Sequence, residues 1–264
     1  MSLGKVDGVV IESIGKIGSL ASINIGKVGG NDVPSSGYII DPAYCKLLSH
    51  FDGSNGATSY TAETGQVVTF SGDAQLAIAQ KKFGASSAYF DGSGNDWISI
   101  PASSDFNFGT GAFTIDFWIY KLHSNIQDTL LSSWQDYNAI DNWYFYVSGD
   151  NKLGLYPSGY QQNHIGIPLG PLMSGTTNIT QNAFHHVAYT FDGSVCRIFL
   201  GGHLEASLTT SAGSNSDQAV IFGINSGNFS SQPFYGYMDE LRISKGVCEW
   251  TSDFTPPTLA YVFS

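Results

Sequence analysis

Phe113-Thr114-Ile115-Asp116-Phe117-Trp118-Ile119 carries an apolar side chain at every second position. Successive side chains of an extended chain point to opposite faces, so Phe113, Ile115, Phe117 and Ile119 share one side, whereas a helix would spread them around its circumference. Aromatic and β-branched residues also favour strands, and the stretch is predicted to be a strand with one core-facing side. Downstream, His186-Val187-Ala188-Tyr189-Thr190-Phe191 and Val195-Cys196-Arg197-Ile198-Phe199-Leu200 flank Asp192-Gly193-Ser194, the pattern of a hairpin around a short Asp-Gly turn. From Cys45 onward such runs recur between turn residues, and no stretch of about ten residues sustains helical periodicity. The expected fold is all-β, a two-sheet antiparallel β-sandwich.

The chain has 264 residues, 42% of them apolar and 12% charged, enough to bury one large sandwich core. Its formal net charge is -11, which repels phosphate backbones and argues against nucleic acid as a partner, while suiting hard cations such as calcium. No apolar run approaches the roughly 18 residues of a membrane span, and MSLGKVDGVV at the start lacks the apolar core of a secretory signal, so no membrane partner is expected. Cys45, Cys196 and Cys248 are too few for a disulfide framework and are expected as thiols. Asn178-Ile179-Thr180 and Asn228-Phe229-Ser230 match glycosylation acceptors, which matter only on a eukaryotic secretory route.

Gly4-Lys5-Val6 recurs as Gly15-Lys16-Ile17 and Gly26-Lys27-Val28, an eleven-residue repeat. Its glycines and β-branched residues disfavour helix and predict short strands with Gly turns. Units this small bury no core alone, so the stretch reads either as a flexible Gly-rich leader or as segments that pack on something else; the second reading assigns Lys5, Lys16 and Lys27 to an anchoring or oligomerisation arm over residues 1–30. Residues 31–37, rich in Asn, Asp, Pro, Ser and Gly, read as a linker, and 38–264 as the sandwich domain.

Five phrases occur in order: Leu48-Ser49-His50-Phe51-Asp52-Gly53, Ser87-Ala88-Tyr89-Phe90-Asp91-Gly92, Phe113 to Trp118, Phe184-His185-His186-Val187-Ala188, and Gly236-Tyr237-Met238-Asp239-Glu240-Leu241-Arg242-Ile243-Ser244. Together they resemble the laminin-G-like domain of the concanavalin A-like lectin/glucanase superfamily, over nearly all the chain after residue 40. The concanavalin A-like jelly roll is the fold this implies. Ser244-Lys245-Gly246-Val247, Phe254-Thr255-Pro256-Pro257 and the Gly-Lys leader resemble the form found in bacteriophage structural proteins. Phe184 departs from the Trp common in relatives, a change that preserves packing.

The resemblance implies calcium at the sandwich edge, held by Asp52 and Asp239, with Asn55 and nearby carbonyls adding oxygens. The same aspartates suit the capping of turns through backbone amides, and both readings stand open. If the first and last strands pair antiparallel, as the resemblance implies, Cys45 and Cys248 approach each other. Glycosidase relatives use carboxylates sharing one face of a strand; here the nearest approach is Asp239-Glu240, and adjacent strand residues are expected on opposite faces. His185 and His186 should diverge for the same reason. The chain also lacks the common nucleophile, phosphate-loop and zinc motifs, so no catalytic residue is expected.

Sugars are held by ring stacking and short polar hydrogen bonds, which points to Trp134, Asp136, Tyr137 and Asn138 and to Tyr160 and Gln161 as ligand-binding candidates. The sequence-level expectation is a non-enzymatic virion structural or adhesion protein, a decoration, tail or fibre component. Its partners would be other virion proteins or its own copies, a trimer favoured, and a cell-surface glycan. The alternative is a stand-alone carbohydrate-binding module of a secreted or cell-surface system.

Overall fold

The computed structural model describes residues 27–28, 31–32, 38–94, 96–132, 143–156, 173–210, 220–223 and 232–264. Its strands in chain order are β1 (Lys27–Val28), β2 (Asn31–Asp32), β3 (Tyr38–Ile40), β4 (Cys45–Ser49), β5 (Ser59–Thr61), β6 (Val67–Ser71) and β7 (Gln75–Ala77). Then come β8 (Ser87–Asp91), β9 (Trp97–Ile100), β10 (Phe113–Lys121), β11 (Asp128–Ser132), β12 (Tyr144–Val147), β13 (Leu153–Tyr156) and β14 (Met173–Ser174). The chain ends with β15 (Phe184–Phe191), β16 (Val195–Leu200), β17 (His203–Thr209), β18 (Val220–Phe222), β19 (Tyr235–Lys245) and β20 (Tyr261–Phe263). Among the described residues the one helical turn is Ser104–Phe106.

Two antiparallel eight-stranded sheets form the sandwich. The first runs β17-β16-β15-β10-β19-β8-β7, with β4 also paired to β19; the second runs β14-β13-β12-β11-β18-β9-β6-β5. The alternation of Phe113 to Ile119 appears as expected: Phe113, Ile115, Phe117 and Ile119 are buried between the sheets. There Phe117 meets Phe145 of the second sheet edge-to-face, with centroids 6.0 Å apart. The hairpin around Asp192 forms, and the Asp192 carboxylate accepts the amides of Ser194 and Val195 to close the turn.

A strap from 247 to 264 crosses the outer face of the first sheet. Thr114 and Thr190 donate to the carbonyls of Val247 and Trp250, and Trp250 stacks on Phe254 at 3.8 Å. Beneath it lies a buried charge cluster, in which Asp116 takes Arg242 at 2.7 Å, His186 at 3.0 Å and the Tyr261 hydroxyl, and Arg242 also reaches Glu249 at 3.2 Å. Burial alone would raise Asp116, but the Arg242 charge and the bonds from His186 and Tyr261 hold it below the usual carboxylate range. The strap ends as β20, which pairs with β3 in parallel, Tyr38 opposite Tyr261.

The antiparallel pairing implied for the ends of the chain is found one step inward, between β4 and β19. That register sets Cys45 opposite Ser244 rather than Cys248, and all three cysteines are free. Lys27 lies on β1, which pairs with β2 across the join of arm and linker; Lys5 and Lys16 lie outside the described residues.

Candidate functional site

β12 and β13 alternate with a strict period of two. Phe145, Val147, Leu153 and Leu155 enter the core, and Tyr144, Tyr146, Gly154 and Tyr156 occupy the outer face. Register places Tyr146 opposite Gly154 and Tyr144 opposite Tyr156. A Cβ at position 154 would meet the Tyr146 ring at 2.2 Å, so this ring lies down on the strand over the glycine. The other two rings follow it. Tyr144 and Tyr146 are 5.0 Å apart at 11°, Tyr146 and Tyr156 5.5 Å at 21°, and Tyr144 and Tyr156 5.9 Å at 23°. Three near-parallel rings laid along the sheet form an aromatic platform, buried at Tyr144 and Tyr146 and half-buried at Tyr156.

Polar groups border it. The Tyr144 hydroxyl donates to Gln232 Oε1 at 2.7 Å, with Gln127 Nε2 and Thr129 Oγ1 at 3.2 Å. Ser132, directly opposite Tyr144, is fully buried and its hydroxyl has no hydrogen-bond partner. Burial pushes the Tyr144 phenol up to about 12 and Tyr146 higher still, so these rings stay neutral. Tyr144 and Tyr146 are 3% and 4% exposed and Ser132 is fully buried, so as placed Tyr156 is the ring of the three that offers part of its face to a stacking ligand, and no step of proton transfer is built into it.

Trp134, Asp136, Tyr137, Asn138, Tyr160 and Gln161 lie outside the described residues. The chain segments that carry them join β11 to β12 and β13 to β14, and both leave the sheet where Tyr144 pairs with Tyr156. Sequence reasoning missed the tyrosines, although Tyr144-Phe145-Tyr146-Val147 followed by Leu153-Gly154-Leu155-Tyr156 holds the signal: apolar residues one way, tyrosines and one glycine the other.

The calcium candidates stand where β4 and β8 meet β19 in the first sheet. Asp52 Oδ1 accepts the amides of Ala85 at 2.5 Å and Ser86 at 3.0 Å. Asp239 Oδ2 accepts Lys82 at 2.6 Å and Phe83 at 3.2 Å, and its Oδ1 accepts Glu240 at 2.9 Å. Asn55 Oδ1 accepts the amide of Ile78 at 3.1 Å. Gly84, at φ +61, packs where a Cβ would strike the Asp52 carboxylate at 2.3 Å. The segment 82–86 thus offers hydrogen-bond donors to both carboxylates, where a cation needs six to eight oxygen ligands. As placed, Asp52, Asn55 and Asp239 do not fit a calcium cage; they fit the capping reading.

The expectation for Asp239 and Glu240 is corrected. A bulge opposite Phe117 shifts the register, Glu240 takes φ +52, and with Met238 and Leu241 both in the core the two carboxylates stand together on the outer face. They are nevertheless sealed: Glu240 is 1% exposed and binds the His50 ring at 2.8 Å and the Tyr261 amide at 3.1 Å, and Asp239 is fully buried. Burial and the Glu240 charge raise Asp239 to about 8. Inaccessible carboxylates held by the protein's own amides hold the bulge and the strap in place and leave no room for a substrate. His185 and His186 diverge as expected, His185 to Thr180 and His186 to Asp116.

A jelly-roll sandwich with an aromatic outer face defines a lectin-like, binding type of domain. Residues 90–251, more than half of the chain, match the family Laminin_G_3, described as concanavalin A-like lectin/glucanases superfamily, and the chain belongs to it. No curated protein matches the chain by sequence. Domain 4 of AbnA, an extracellular arabinanase from Geobacillus stearothermophilus, in complex with arabinotriose, is similar at TM-score 0.53 and 18% identity, over 78% of this chain and 95% of that one. The binding domain of Paraclostridial Mosquitocidal Protein 1 is similar at TM-score 0.57 and 14% identity, over 78% of this chain and 49% of that one. A structure of botulinum neurotoxin type C, whose cell entry is described as dependent upon interaction with two ganglioside molecules, gives TM-score 0.57 and 17% identity with the same two coverages. This chain spans about half of each toxin chain, and identities this low are likenesses of fold.

Proposed function

We propose that this chain is a non-enzymatic adhesion protein of a bacteriophage virion, a decoration, tail or fibre component whose sandwich faces outward and binds a cell-surface glycan on the tyrosine platform of its second sheet. The observation that carries the binding reading is the half-buried Tyr156 ring, held near-parallel to Tyr146 and Tyr144, which form the buried base of the platform. Sugar rings present an apolar face to aromatic planes, and the partly exposed Tyr156 ring offers such a plane. The arabinotriose complex and the ganglioside dependence of the fold neighbours support the same ligand class. The virion placement rests on the Gly-Lys repeat at Lys5, Lys16 and Lys27, which needs a partner to pack against, and on the resemblance to phage structural proteins.

Glycan-array binding of the full chain tests the ligand class, with Tyr156→Ala expected to weaken the hits about tenfold, or about 1.4 kcal/mol. A blank array overturns it. Light scattering on residues 1–264 and 38–264 tests the arm: an oligomer, expected to be a trimer, forms with the arm and not without it. Monomers in both cases favour the second reading, a stand-alone carbohydrate-binding module of a secreted or cell-surface system, which the arabinanase domain supports.

A further inference from the structure

Among the described residues, the strap covers one half of the outer face of the first sheet, and the side chains of the other half are partly exposed. On that other half, cross-strand register aligns five outward side chains on five successive strands: Gln75, Tyr89, Tyr237, Tyr120 and Phe184. Neighbouring ring centroids are 4.9 Å apart from Tyr89 to Tyr237, 5.8 Å from Tyr237 to Tyr120 and 5.1 Å from Tyr120 to Phe184. Tyr237 is nearly buried between its neighbours, and the other four side chains are half-exposed. On one flank Lys82 Nζ sits 4.0 Å above the Trp118 ring, whose indole N–H is buried without a hydrogen-bond partner. On the other flank Tyr235 packs against His123.

We propose that this ladder is a second carbohydrate-binding site, on the opposite face of the sandwich from the tyrosine platform, and that it takes a neutral oligosaccharide running across the strands. The row pairs aromatic surface with three phenol hydroxyls and an amide, and none of its five side chains is charged, which matches a polyol better than an anionic or a purely apolar ligand. The regular ring pitch repeats a stacking unit, so an oligosaccharide gains contacts that a single sugar does not. A second copy of this chain is the other occupant, and the light-scattering arm of the test below distinguishes it. The site stands on residues separate from the platform, so each can fail without the other.

The test is calorimetric titration of the full chain with neutral oligosaccharides, among them arabinotriose, xylotetraose, cellotetraose and maltotetraose, and with 3′-sialyllactose as an anionic control. The row predicts binding to a neutral oligosaccharide that weakens about tenfold in Tyr120→Ser and in Phe184→Ser, and persists in Tyr156→Ala. Both row variants alter half-exposed side chains and are expected to keep the wild-type melting temperature within a few degrees. Three results overturn the proposal: no binding by any neutral oligosaccharide, binding that survives both row variants, or dimers in light scattering that dissociate in Tyr120→Ser, which would make the face a self-interface.

Discussion

Replacing Gly154 with alanine puts a methyl 2.2 Å from Cζ of Tyr146 and 2.6 Å from both Cε atoms, where ordinary contact begins near 3.4 Å. The ring must lift by more than an ångström, yet it is buried and stacked against Tyr144 and Tyr156. Backbone strain plays no part, because Gly154 is not at positive φ. Overpacking of this kind costs about 1–3 kcal/mol. For a domain of this size that corresponds to a fall of roughly 2–12 °C in melting temperature, read by differential scanning calorimetry. Gly149→Ala is the control, since nothing lies within 4 Å of its added methyl, and it is expected to be neutral or slightly stabilising. In a Tyr146→Ala background the Gly154→Ala cost should vanish, because the atoms it strikes are gone. If Gly154→Ala melts with the wild type, or costs as much without the Tyr146 ring as with it, the ring does not lie on the glycine and the platform argument fails. If the platform is the glycan site, Gly154→Ala also weakens binding on the array.

Arg242→Met should cost about 3–5 kcal/mol in urea denaturation, because it leaves the Asp116 carboxylate buried without its cation; a loss under about 1 kcal/mol contradicts the role given to that pair. Stability should fall as pH rises from about 5 to 8. Burial would lower His50, but the Glu240 hydrogen bond and charge hold it above 6.5, so its contribution is complete below that value and fades as pH climbs through the higher folded value. Asp239, raised from 3.8 to about 8, works in the same direction, because ionising it costs more in the folded chain. His185, lowered by burial, works the other way over that window, so the variant decides: His50→Gln should remove its own share of the falling slope, and an unchanged slope refutes the assignment. Calcium and chelator should give the same melting temperature, as the segment 82–86 already satisfies Asp52 and Asp239. A rise of several degrees with calcium would mean that this segment yields to the ion.

Much of the fold was legible because a strand buried on one side writes its environment into every second residue. Phe113 to Ile119 and the hairpin around Asp192 are local statements of that kind, decided by side-chain period and turn chemistry. The order of five short phrases pointed to the family for the same reason. What stayed hidden depends on register between distant strands. Gly154 becomes the bed of a tyrosine ring only when β12 and β13 pair so that Tyr146 stands opposite it. Gln75, Tyr89, Tyr237, Tyr120 and Phe184 are scattered between positions 75 and 237 and become one row only through four pairings. The bulge at Glu240 reverses the rule that adjacent strand residues face apart, and it shows only in the pairing of β19 with β10. Asp52 and Asp239 could be read as metal ligands or as caps from the sequence alone, because a carboxylate serves either purpose. Tertiary structure favours the capping reading by placing the amides of 82, 83, 85 and 86 within hydrogen-bond reach. The sequence by itself determined period, turns and composition, which are local, while long-range pairing determined which side chains stand together and what they can hold.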